Sequence, residues 1–151
     1  MRHLRFLIVL PVLAVLTVIS GPALILAQDS TAKAVPSSAL TTLTGVYTDQ
    51  QASRGESIYR NTCLACHDDS DHTGAVFRQN WDTRTAFDLF ETIRTTMPND
   101  DPGRLPREDY SSIVAYLFKV NKMPSGKKPL PTDSTGLKQI VIAVSDPVKQ
   151  R

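Results

Sequence analysis

The stretch NTCLACHD, Asn61 to Asp68, holds both cysteines of a 151-residue chain and one of its three histidines. Cys63 and Cys66 are separated by two residues, and His67 follows the second directly. A disulfide closing so short a loop adds little to a fold of this size, so the pair asks for another use.

Outward from this stretch the patterning is helical. On its N-terminal side, Thr48 to Gln51 form a T-x-x-Q pattern able to cap a helix start, with Val46 and Tyr47 placed to pack on its first turn. Ala52, Gly55, Tyr59 and Cys63 then share one face. A second helix is expected over Thr83 to Thr95, where Ala86, Leu89, Phe90 and Ile93 recur at helical spacing. It should stop before Pro98, which leaves Met97 in an extended exit. Asn99 to Pro106 is turn chemistry, and Pro106 can open a third helix from Arg107 to about Asn121. Its apolar set is Tyr110, Ile113, Val114, Leu117 and Val120. Beyond Met123 the chain reads as a linker, with a β-prone run at Gln139 to Val144 expected to lie on the domain as a strand-like tail. The expected class is all-α.

The ends carry different information. Arg2 and Arg5 precede an apolar run that leads through small residues to Ala27, the order of a cleaved secretory signal over residues 1–27. The alternative is a retained membrane anchor, the one circumstance in which membrane contact is expected. Residues 28–45, rich in Ser, Thr and Ala, read as a flexible leader. From Gln28 onward 15 acidic residues face an equal number of basic ones, a balance that excludes the basic face a nucleic acid needs. Delivery across a membrane implies the periplasm or an equivalent space.

C-x-x-C-H can serve three chemistries. A thioredoxin-type pair needs a βαβ context that is missing here. A zinc site needs four ligands, and His72 is the only other histidine after the signal segment. The third is covalent haem c, one group per chain: thiols three positions apart at a helix end reach two vinyl groups, and the next imidazole projects over the ring. Cys63 and Cys66 then form thioethers and His67 is an iron ligand. For the sixth position the spacing favours Met97, thirty residues on and stiffened by Pro98, over Met123 and His72. The competing use of Met97 is as a core gap-filler. The acidic run Asp68 to Asp71 lacks a spaced calcium pattern and reads as a solvated loop.

CLACH preceded by GESIYR, TTMP thirty residues later, and the last helix DYSSIVAYLFKVN resemble a class I monohaem cytochrome c. GAVFRQNW, DLFETIRTTMPNDDPGRLP and AYLF are similar to the cytochrome domains that accompany pyrroloquinoline-quinone-dependent dehydrogenases. The resemblance covers roughly Val46 to Ser125, leaving residues 126–151 as a C-terminal extension. It implies a small cytochrome c fold of three main helices around one haem, with first and last helices crossing closely, where Gly55 and Tyr59 suit the contact. It also implies that Trp81 packs on the ring with its N–H toward a propionate, although a plain core aromatic fits that position equally. Arg78 and Arg84 could neutralise propionates or simply be solvated.

The expected function is one-electron transfer, not enzyme catalysis. A dehydrogenase, with quinoproteins among the candidate classes, is the expected donor, and a terminal oxidase or another cytochrome the acceptor. Two alternatives remain: a haem enzyme or gas sensor in which Met97 is off the iron, and a haem-free module using the same thiols.

Overall fold

The structure, a computed structural model, describes residues 40–144. The signal segment expected over residues 1–27, most of the leader and residues 145–151 lie outside the described residues.

Thr48 starts the first long helix. Its backbone is extended and its hydroxyl accepts from the Gln51 amide, satisfying one donor that a helix start leaves open. Helix α1 spans Asp49–Thr62 and buries Ala52, Gly55 and Tyr59, the face expected from their spacing. Val46 and Tyr47 are buried ahead of the cap, and the Tyr47 hydroxyl donates to the Met123 carbonyl at 2.6 Å. Met123 is itself buried, as a packing residue.

Between Asp68 and Asp82 the chain is more ordered than its sequence suggested. A 3-10 turn, Asp69–His72, is followed by a helix, α2, over Gly74–Trp81. Helix α2 buries only Phe77, too few apolar positions for a period to show. Asn121 anchors this region: its amide donates to the His72 carbonyl and accepts from the Gly74 amide.

Helix α3 spans Ala86–Thr96 and begins three residues later than expected. Thr83 has φ 68°, outside helical space, while Thr85 and Asp88 form a reciprocal cap that defines the true start. Met97 follows in extended conformation, φ −130° and ψ 148°, and precedes a cis peptide bond to Pro98.

Helix α4 covers Arg107–Val120, with Pro106 as its extended cap residue. Every residue from Tyr110 to Phe118 is buried, so the helix is enclosed on all sides rather than on one face. The buried Ser111 and Ser112 hydroxyls are both satisfied by backbone carbonyls, those of Leu130 and Glu108 respectively. Val120, expected in the buried set, is only half-buried.

Two expectations are corrected outside the helices. Residues 124–133, read as a linker, are mostly exposed but tethered to the domain. Leu130 is buried and its amide donates to Gln51 on α1 at 2.7 Å, while Gly126 donates to the Tyr47 carbonyl. The described end of the leader, expected to be flexible through Gly45, is held in place: strand β1 (Leu40–Thr41) pairs in parallel with β2 (Ile140–Val141), and Thr42 in the 3-10 turn Thr42–Thr44 is fully buried. A short helix, α5 (Ser134–Lys138), capped by the Asp133 carboxylate, leads into β2. The strand-like tail therefore exists, and its partner is the leader. Among the described residues no helix is long and apolar enough to cross a membrane.

Candidate functional site

Helix α1 ends inside the cysteine motif. Cys63 is its C-cap residue, with its amide bonded to the Tyr59 carbonyl, and the Cys66 and His67 amides both return to the Cys63 carbonyl at 3.0 Å. This tight turn presents Cys63, Cys66 and His67 to one cavity of about 750 Å³. Met97, at the exit of α3, and Trp81, at the end of α2, line the same cavity. All five side chains singled out from the sequence are thus brought together from three helix ends. Phe77, Leu89, Ile113 and Leu117 give the cavity a mostly apolar lining.

The cysteines differ in setting. Cys63 is partly enclosed, and burial pushes its thiol pKa up; Cys66 is exposed at the mouth. His67 Nδ1 lies 3.5 Å from the Asp71 carboxylate. That carboxylate already accepts from the Asp68 amide, so it neighbours Nδ1 without a short bond to it, and Nε2 is the nitrogen left for a metal. His72 also lines the cavity, its ring 4.7 Å from that of His67. It stands beside His67. Burial, and then the neighbouring His67, lower its pKa.

On the Met97 side the structure adds a residue that the sequence did not single out for this role. Tyr110, fully buried in α4, donates its hydroxyl to the Met97 carbonyl at 2.8 Å. In the sequence it is marked only as a member of the apolar face, because a side-chain bond to backbone thirteen residues away leaves no local pattern. Arg84 stacks over the Trp81 ring at 4.6 Å, so its guanidinium is engaged with the indole. Arg78 is half-buried on α2.

The fit to haem can be judged on these residues. The cavity falls within the range of about 300–1,000 Å³ usual for cofactor sites. Its donors are two thiols, an imidazole and a thioether, the set that covalent attachment and two axial bonds require. Among the described residues no group of three or more His, Cys, Asp and Glu side chains is arranged to hold a metal ion directly, so the zinc alternative gains nothing.

No curated protein and no solved structure matches the chain. Residues 50–117 match the family model described as cytochrome c oxidase, cbb3-type, subunit III. That span runs from the first turn of α1 through the cysteine motif, Trp81 and Met97 to the buried centre of α4, and its match supports a c-type cytochrome domain.

Proposed function

We propose that the chain is an extracytoplasmic one-electron carrier with a single haem, bound through Cys63 and Cys66 and ligated by His67 and Met97. The observation that carries this is the convergence of those four side chains on one mostly apolar cavity. The family match supports the coarser part of the reading, an electron-transfer haem protein with redox proteins as partners. Haem supplies reversible one-electron chemistry at its iron.

The protein's own contributions follow from where its residues sit. Cys63 and Cys66 tether the group to the end of α1, and His67 holds the metal from that end. Met97 holds it from the end of α3, with its backbone carbonyl restrained by Tyr110. With both positions taken, no substrate reaches the metal, which separates a carrier from a haem enzyme or sensor. The apolar walls disfavour the extra positive charge of the oxidised form, and a thioether favours the reduced form relative to a second nitrogen, so the potential is raised. Cys66 and Ala65 are exposed at the cavity mouth, where a partner can dock transiently. The donor in this reading is a dehydrogenase, and the acceptor an oxidase or another cytochrome; the N-terminal signal directs the chain to the periplasm.

The test is made on protein matured in cells competent for haem attachment. Intact mass should show one added haem, and the ferric form should show the near-infrared band of methionine sulfur on iron. Met97→Ala should keep the mass, lose the band and let the ferrous form bind carbon monoxide. An unchanged spectrum in Met97→Ala removes that residue from the iron. A wild-type protein that lacks the band and binds carbon monoxide readily is instead a haem enzyme or sensor.

A further inference from the structure

We propose that residues 140–144 are a strap that positions the Met97 side of the cofactor pocket; the inference rests on the axial reading above and extends it to residues outside the family match. The strap's bonds are directed at one turn. The Thr83 amide donates to the Ile142 carbonyl and the Ile142 amide to the Arg84 carbonyl, both at 2.8 Å, and the Val144 amide donates to the Asp82 carboxylate at 3.0 Å. Residues 82–85 are the whole connection between Trp81, which lines the cavity, and α3, which delivers Met97. On its other side the strap is fastened to the leader. Thr42 Oγ1 donates to the Ala143 carbonyl and accepts from the Ala143 amide, each at 2.9 Å, and β1 pairs with β2 alongside.

The connecting turn has reason to need holding. Thr83 adopts φ 68°, a conformation that a β-branched residue reaches only when its surroundings impose it. Ile142 is fully buried against it. Helix α5 adds a second grip on α3, with Leu137 buried and the Lys138 ammonium 4.7 Å over the Phe87 ring. Helix α3 is therefore pinned at both ends, by the strap at its start and by the Tyr110 bond to Met97 at its exit. Its eleven residues span about 16 Å, so a small tilt at the first end displaces the second. The cysteine motif has no such dependence, because it ends α1, which packs on α4. Loss of the strap should loosen Met97 and Trp81 while leaving the haem attached.

The experiment compares haem-loaded wild-type protein with a chain ending at Gln139 and with Thr42→Val, which removes the reciprocal bonds at nearly constant volume. Gln51→Ala, which detaches Leu130 from α1 remote from the turn, serves as a destabilised control. The strap variants should keep one haem by mass, lose part of the near-infrared methionine band, and take up carbon monoxide in the ferrous state about tenfold faster or more. Gln51→Ala should lower Tm yet keep the band and the slow uptake. The proposal is overturned if both strap variants keep wild-type band and uptake, or if the control loses the band in proportion to its Tm. Should the wild-type protein itself lack the band, the axial reading fails separately. Amide exchange then decides the strap's hold on the turn: selective acceleration in α3 over α1 supports it, and uniform exchange removes it.

Discussion

Gly55 lets α1 rest directly on the backbone of α4 at Ser112. A Cβ at residue 55 would fall inside the van der Waals shell of the Ser112 carbonyl and 2.9 Å from the Ile113 nitrogen. Alanine favours a helix over glycine by about 1 kcal/mol, but here it meets main chain that cannot rotate away. Gly55→Ala should therefore destabilise the haem-loaded protein by about 2 kcal/mol or more, measured by guanidinium unfolding followed at the haem absorbance. Equal stability would show that the two helices can separate at little cost.

Tyr59, a few per cent exposed in α1, has a buried hydroxyl with no hydrogen-bond partner among the described residues. Its ring is well used, 5.2 Å from that of Tyr116. Tyr59→Phe keeps the ring contact and removes the unpaired group, so it should raise stability by about 1 kcal/mol. A loss of stability would reveal a partner for the hydroxyl.

The same residue sets an alkaline limb. Burial above all, with added repulsion from Asp69 and Asp71, pushes the Tyr59 pKa from 10.0 up to about 12. The folded state keeps its proton where the unfolded state releases one, so stability is intact below pH 10 and falls as pH rises from there to about 12. The loss attributable to this group is about 2–3 kcal/mol at the top of that window. Denaturation midpoints of wild type and Tyr59→Phe across the window should diverge, with a shallower decline in the variant; Tyr47 and Tyr116, whose phenols burial also pushes up, keep the rest of it. Parallel curves would assign the limb to other groups.

Tyr110→Phe tests the restraint on Met97. The change preserves a fully buried ring and removes one bond to backbone, a net effect of about 1 kcal/mol. Expected results are an unchanged haem mass, a weaker near-infrared band and faster carbon monoxide uptake. A general loss of Tm with an intact band would confine Tyr110 to packing.

Thr85 should behave as a helix cap. Its hydroxyl accepts from the Asp88 amide at 3.2 Å, and the Asp88 carboxylate accepts from the Thr85 amide at 2.9 Å. Thr85→Ala should cost about 1–2 kcal/mol, and Thr85→Ser should recover most of it. Thermal unfolding of the pair of variants is the check; an Ala variant equal to Ser would mean that the turn, not the cap, holds the start of α3.

Much of the site was readable in the chain because its signals are local. Cysteines three positions apart with a following histidine, a methionine before proline, and apolar residues at helical spacing are short-range patterns, and the side chains they marked line one cavity. Two of the misreadings share a cause. Leu40 to Gly45 and residues 124–133 carry linker composition, and composition reports how a segment behaves alone. Thr42 is buried because Ala143 bonds it, and Leu130 because Gln51 does, partners 101 and 79 positions away in sequence. The start of α3 is a different case, because the reciprocal cap between Thr85 and Asp88 is a short-range pattern that the apolar period beginning at Ala86 does not reveal.

The amino-acid sequence alone determined the helical class, the Thr48 cap and the candidate ligands, since these depend on backbone preferences and spacing within a few residues. Tertiary structure alone decided how firmly the pocket is closed: Gly55 against Ser112, Tyr110 on Met97, and residues 140–144 joining the leader to the Asp82–Thr85 turn. Such contacts join positions whose separation along the chain follows no period, and they exist only once burial has brought the segments together.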